Sequence, residues 1–174
     1  HKHVIESLHI GDAGEISSRS IEESINLFNE EFNAFKLDFP ETNEIWEAQI
    51  DGDVMFLSSE IVSIAITTYK NTGGAHGNGY TFYEYFSKAD GLELSLEDFT
   101  TDLDALTTIA EKYFREQQEI EPGTSLNAVG FWFENDTFAL NDNFYFSGGE
   151  MVFVYNSYEI APYAAGVIDL TIPL

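Results

Sequence analysis

The chain has 174 residues, 44% of them hydrophobic, enough to fold unaided around its own core. Seven Lys and Arg against 31 Asp and Glu leave a formal net charge of -24, a field that excludes nucleic acid as a partner and draws in a basic protein, although it would also serve solubility alone. Cysteine is absent, so there is neither a disulfide framework nor a thiolate metal site, and no apolar run approaches the roughly 20 residues that a membrane-spanning helix needs.

The chain opens on "HKHVIES" instead of Met and a signal peptide, which reads as a processed or artificial end. A histidine third from a free amine could chelate copper there, but only if His1 is the true mature terminus. In "ISSRSIEESINLFNEEFNAF", Ser20 and Glu23 make a capping-box pattern, and Ile21, Ile25, Phe28, Phe32 and Phe35 form one helical apolar stripe, expected to be core. Asp51-Gly52 predicts a hairpin turn between "IWEAQI" and "DVMFL". "EIVSIAITTY" and "YTFYEYF" predict strands on either side of a glycine-rich stretch, and "KADGLEL" a turn. "TTDLDALTTIAEKYFREQ" predicts a second helix capped by Thr or Asp, with Leu103, Leu106, Ala110, Tyr113 and Phe114 inward. From Ala128 onward the pattern is sheet, with "AVGFWFE", "FYF", "EMVFVYN" and "VIDLTIP" separated by the turn formers "NDT", "SGG" and "APYAAG". The fold class is α+β, a largely antiparallel sheet with two main helices packed on it. Residues 1–174 read as one domain, whose N-terminal half (about 1–90) and C-terminal half (about 91–174) share one core.

Two segments concentrate unusual residues. The first, "NTGGAHGNGY", is not a phosphate cradle, because no lysine and no helix follow its glycines. A metal at His76 would have to rely on carboxylates, since the other histidines cluster at the N-terminus. No G-x-S-x-G elbow or other nucleophile setting accompanies His76, and with 31 acids any chosen carboxylate pair is uninformative. What remains is a shaped backbone, with an imidazole bonded to nearby main chain as the plain alternative to a functional His76. The clusters "ENDT" and "LNDN" lack the ligand ladder of an EF-hand loop and read as turns. The second segment, "YNSYEIAPYAAG", sets Tyr155, Tyr158 and Tyr163 around Pro162 and Gly166, a strand-loop-strand corner or a recognition surface.

"YKNTGGAHGN", a strand, "LSLEDF", a helix and "VYNSYEIAPYAAG" before a last strand ending in "IP" together resemble an extracytoplasmic domain-of-unknown-function family (types 3298 and 4163). That family is found in the lysozyme-sensing anti-sigma factor and at the N-terminal side of some peptidoglycan deacetylases. The segment with "SIEESINLFNEEF" and "SIAITTY" is similar to the partner domain that usually precedes the glycine-histidine motif. The resemblance implies a cell-envelope protein in the periplasm or at the cell surface, tethered by a lipid or a membrane helix, that binds rather than turns over a substrate. The sequence carries neither a sigma-binding segment nor a deacetylase domain, so neither activity is carried over. The expectation is a non-enzymatic domain without metal or cofactor that recognises a basic lysozyme-like muramidase; the alternative is a module for peptidoglycan or another glycan, stacking sugars on Tyr158, Tyr163 and Trp132. Candidate binding residues are Gly73, Gly74, His76 and Asn78 in the first motif and Tyr158, Glu159, Pro162 and Tyr163 in the second.

Overall fold

The computed structural model describes residues 2–10 and 19–174. Among them are three α-helices and two antiparallel sheets, an α+β fold. By contacts the chain forms two compact units, residues 1–52 with 66–80, and residues 53–65 with 81–174. Strands β1 (Glu47–Leu57), β2 (Ile61–Asn71) and β3 (Asn78–Ser87) each run from one unit into the other, and β4 (Glu93–Leu94) completes a sheet of order β1-β2-β3-β4.

In the first unit, α1 (Lys2–Leu8) buries Ile5 and Leu8 and packs on α2. The copper reading falls on His1, which lies outside the described residues, as do residues 16–18 of the predicted helical segment. Helix α2 (Ile21–Asp38) starts at the expected capping box: Glu23 N–H donates to Ser20 Oγ (3.2 Å) and Ser20 N–H donates to the Glu23 carboxylate (2.7 Å). Those bonds, the backbone one first, hold the Glu23 carboxyl below its ordinary pKa. The apolar stripe is not the closed core that its period predicts. Phe28, Phe32 and Phe35 are half-buried around one ring, Trp46, at centroid distances of 5.8, 5.6 and 5.4 Å, and Ile25 is exposed. A single indole covers one column of aromatic side chains but not the whole stripe.

Asp51-Gly52 makes no turn. β1 passes straight through it, with Gly52 outside the left-handed region, and reverses instead at residues 58–60. There the Ser58 hydroxyl accepts N–H bonds from Glu60 (3.1 Å) and Ile61 (3.0 Å) while Ser58 N–H donates to the Ile61 carbonyl (2.9 Å). The serine turn satisfies the chain's polar groups where the hairpin dipeptide would have left an eleven-residue strand split.

The second unit holds the main apolar core. α3 (Leu103–Gln117) begins with Asp102 accepting the Ala105 N–H (2.9 Å) and buries Ala110 and Phe114 completely. Leu106 and Tyr113 pack at the margin of the core, whereas Leu103 in the first turn is exposed, beyond the stripe that meets the sheet. Strands β5 (Phe144–Ser147), β6 (Glu150–Tyr155) and β7 (Ile168–Pro173) form the second sheet in that order, and every residue of β6 from Met151 to Tyr155 is buried. The edge strand β7 is covered by α3: the Gln117 side-chain amide donates to the Thr171 carbonyl (2.6 Å) and accepts its N–H (3.1 Å).

"AVGFWFE" is not a strand. Residues 127–129 form a short helical turn ended by Gly130 at φ 108, and Asn135 and Asp136 are left-handed. The Asn127 side chain takes the place of a ladder partner, accepting the Phe133 N–H (2.9 Å) and donating to the Phe133 carbonyl (2.7 Å). With its backbone so satisfied, the segment delivers Phe131 and Phe133 onto Phe114, at 5.0 and 5.6 Å.

Candidate functional site

The candidate residues fall into two loops, one in each unit. Between β2 and β3, Asn71 Oδ1 accepts the Gly73 N–H (3.0 Å), and Gly73 and Gly74 both lie near φ +90 (91 and 92), a backbone that a side chain would strain. Gly77 is required for a different reason. A Cβ there would sit 2.5 Å from the Tyr69 hydroxyl and 2.8 Å from the Lys70 carbonyl, so main chain and ring approach as closely as only glycine permits. His76 is exposed, and its Nδ1 lies 3.1 Å from the Gly77 carbonyl; a carbonyl only accepts, so Nδ1 carries the proton. Asn78 belongs to β3 instead of the loop; its Oδ1 is buried and has no hydrogen-bond partner among the described residues.

The loop between β6 and β7 is held far more firmly. Asn156 is buried; its side chain accepts the Thr81 N–H (2.8 Å) and donates to the Thr81 carbonyl (3.0 Å). Asn143 does the same one step along, accepting the Tyr83 N–H (2.9 Å) and donating to the carbonyls of Thr81 and Val154 (both 2.9 Å). Two asparagine side chains thus read the β3 backbone as a neighbouring strand would. Glu159, a candidate for ligand contact, is committed to the loop: one carboxylate oxygen accepts the Asn156 N–H (2.8 Å) and the other accepts from the Asn141 amide (2.7 Å).

On this pinned segment the aromatic candidates are presented outward. Tyr158 is 45% exposed and sits at φ 69, a left-handed backbone that costs a tyrosine on the order of 1 kcal/mol. Its ring lies 5.4 Å from that of Tyr163, 37% exposed, at 35°. Pro162 precedes a helical turn (Tyr163–Ala165) in which Ala165 N–H donates to the Pro162 carbonyl (2.8 Å). Trp132, half exposed, joins the same segment through its N–H to the Ile160 carbonyl (2.9 Å). Tyr155 faces inward, its hydroxyl donating to the Ala139 carbonyl (2.8 Å) while burial drives its pKa far up. Among the described residues no group of three His, Asp or Glu is placed to hold a metal ion, and no helix is long and apolar enough to cross a membrane.

Comparison with known families divides the chain along the same sequence. Residues 96–174 match the family model described as a protein of unknown function, DUF3298, and residues 4–79 match the model described as Deacetylase PdaC. The tyrosine loop and its asparagine supports at 141, 143 and 156 lie inside this DUF3298 region, whereas Gly73, Gly74, His76 and Asn78 lie inside the PdaC-like region. No curated protein matches the chain. A DUF3298 family crystal structure from Bacteroides fragilis superimposes with a TM-score of 0.67 at 22% identity, covering 97% of this chain and 69% of that one. Another, from Pseudomonas aeruginosa, gives 0.56 at 21% identity over 81% of this chain and 65% of that one. At such identity the likeness is one of fold, and this chain spans about two thirds of each protein's length.

Asn143 and Asn156 are the residues that sequence reasoning passed over. "LNDN" reads as a turn, and its function as a strand surrogate depends on Thr81 and Tyr83, some 60 to 75 positions away.

Proposed function

We propose that this chain is a non-enzymatic, extracytoplasmic binding module of a cell-envelope protein, and that it recognises a basic lysozyme-like muramidase through the loop carrying Tyr158 and Tyr163. The observation that carries the reading is the exposed tyrosine pair on a segment fixed by Glu159 and Asn156. A rigid, amphipathic aromatic pair gives contact area with little ordering cost, as interface anchors require. The net charge of -24 supplies the long-range attraction for a cationic partner. Glu159 acts as a loop fastener in this scheme, and Pro162 as the residue that fixes the entry to the Tyr163 turn. The cell-envelope setting is supported by the PdaC match over residues 4–79, but that model's deacetylase name is not carried to this chain.

The test is affinity for a c-type lysozyme beside an equally basic unrelated protein, across a salt series, with the Tyr163→Ala variant. Lysozyme is expected to bind more tightly than the control at every ionic strength, and both to weaken as salt shortens screening to about 8 Å. Tyr163→Ala should lower lysozyme affinity roughly thirtyfold, a couple of kcal/mol, and leave the control unchanged. Equal binding of both proteins, or a folded variant that binds lysozyme as the parent does, refutes the proposal.

A second reading, a glycan-stacking module, is favoured by Trp132, which stands half exposed on an irregular segment whose main chain bonds the tyrosine loop at Ile160. Binding of soluble wall fragments that ignores salt and is lost in Trp132→Ala would establish it in place of the first.

A further inference from the structure

One long sheet edge of the chain is left open. The edge strand β7 is closed by Gln117, whose side chain bonds Thr171 in both directions (2.6 and 3.1 Å), and the end strands β4 and β5 have only two and four residues. β1 is the outermost strand of its sheet and has eleven. Every second residue of such a strand turns its N–H and C=O groups away from the neighbour it pairs with. Proteins guard exposed edges with Lys, with Pro or with a covering element, and β1 contains no Lys, Arg or Pro. In the part of β1 that belongs to the second unit, residues 53–57, every residue is exposed; Val54, Met55, Phe56 and Leu57 are 63, 55, 55 and 65% accessible. Successive side chains of a strand point to opposite faces, so apolar surface is bare on both. An outward-facing main chain and exposed apolar side chains thus coincide on one short segment, and an added strand is what covers both at once.

Charge selects the occupant. Asp51 and Asp53 stand on β1 itself, and the chain carries a net charge of -24. A second copy laid along β1 would bring like carboxylates into one ladder and set two strongly negative chains side by side. Lys or Arg on an incoming strand would instead meet those carboxylates as cross-strand pairs, while its apolar residues meet Val54 to Leu57. We propose that the edge of β1 at residues 53–57 is a docking site for an extended segment of a basic protein, in which apolar residues alternate with Lys or Arg and which joins the sheet as a further strand. The inference is independent of the muramidase reading, since it uses no residue of the tyrosine loop and its test contains no muramidase.

The probe is the end-capped peptide Lys-Val-Lys-Val-Lys-Val-Lys, titrated into the full chain and followed by amide NMR and hydrogen exchange. Saturable shifts centred on residues 53–57 are expected, with exchange slowed at alternate residues there, because only every second N–H faces the incoming strand. N-methylation of the peptide at its central Val and the Lys after it keeps charge and side chains but spoils both of its edges, and should weaken binding about tenfold or more. Glu in place of every Lys should weaken it by about as much. Met55→Lys with Leu57→Lys, both at exposed positions, sets like charge against the peptide and should also cost about tenfold, whereas Tyr163→Ala should bind as the parent does. The two altered peptides are read on the unaltered chain, so the test stands even if the double variant fails to fold. The proposal is overturned by a lack of saturation, by protection that does not alternate or lies outside β1, by either altered peptide binding as well as the first, by a folded double variant that binds as the parent, or by loss of the peptide in Tyr163→Ala. A concentration-dependent dimer of the parent chain that the double variant abolishes also overturns it and assigns the edge to a second copy.

Discussion

Asn156 offers the sharpest test of how the tyrosine loop is held. Its side chain is buried and makes one bond in each direction to Thr81, accepting at 2.8 Å and donating at 3.0 Å. Two net hydrogen bonds at about 1 kcal/mol each, with a further cost for polar atoms left in a closed space, put Asn156→Ala at about 2–4 kcal/mol, a large part of the roughly 5–15 kcal/mol that a domain has. Asn156→Asp is more informative because it keeps the acceptor and loses the donor. An ionised carboxylate would face the Thr81 carbonyl, so the introduced carboxyl has a folded pKa raised above its unfolded value near 3.9. In that window the folded state binds more protons, and stability falls as pH rises. Urea midpoints measured at pH 5 and pH 8 should therefore show the Asp variant further below the parent at pH 8, with the Ala variant equally displaced at both. An Asp variant with the parent's pH profile, or an Ala variant within about 0.5 kcal/mol of the parent, would show that the side chain does not clamp β3.

Four further outcomes follow from single contacts. Gly77→Ala should destabilise by about 1–3 kcal/mol in chemical denaturation, and Tyr69→Phe should not rescue it, because the Lys70 carbonyl also lies only 2.8 Å from the new Cβ. Phe114→Ala, at the centre of the Phe131, Phe133 and Phe138 cluster, should cost about 3–5 kcal/mol and lower the melting temperature accordingly. Tyr155 has a pKa raised by burial, so its contribution is whole below the unfolded value near 10 and is lost as pH climbs above it; Tyr155→Phe should be less stable at pH 7 yet lose less between pH 9 and 11 than the parent. Ser58→Ala should cost about 1 kcal/mol by removing the acceptor of two turn N–H groups, read from the same urea midpoints.

What could be read from sequence is what short-range physics decides. The Ser20–Glu23 capping box, the Asp102 cap and the buried face of α3 at Ala110 and Phe114 are set by neighbours within one or two helical turns, and the residues alone announce them. Where a distant partner decides, local signals mislead. Asp51-Gly52 is a strong hairpin dipeptide, but Ser58 closes the turn six residues later with three hydrogen bonds. Phe131 and Phe133 alternate as a strand should, but Asn127 supplies their backbone bonds and Phe114 their packing. The same holds for the candidate site: tyrosine, proline and glycine mark the loop after β6, while the atoms that fix it belong to Asn141 and Thr81.

Holding the loop through side chains instead of a ladder has a consequence for recognition. A ladder would have drawn residues 156–159 into the sheet and turned Tyr158 into an alternating strand position, inward or outward by register alone. With Asn156 and Glu159 meeting the backbone demands, Tyr158 is free to take the left-handed conformation at φ 69 that sets its ring against Tyr163. The cost of that conformation, on the order of 1 kcal/mol, is met by bonds whose acceptors and donors are already in place before any partner arrives. Such a pair loses little freedom on binding, and affinity gained through it should appear mainly as slow dissociation, whereas the -24 charge should act on association. Weakening the clamp and weakening the charge should therefore change different rate constants.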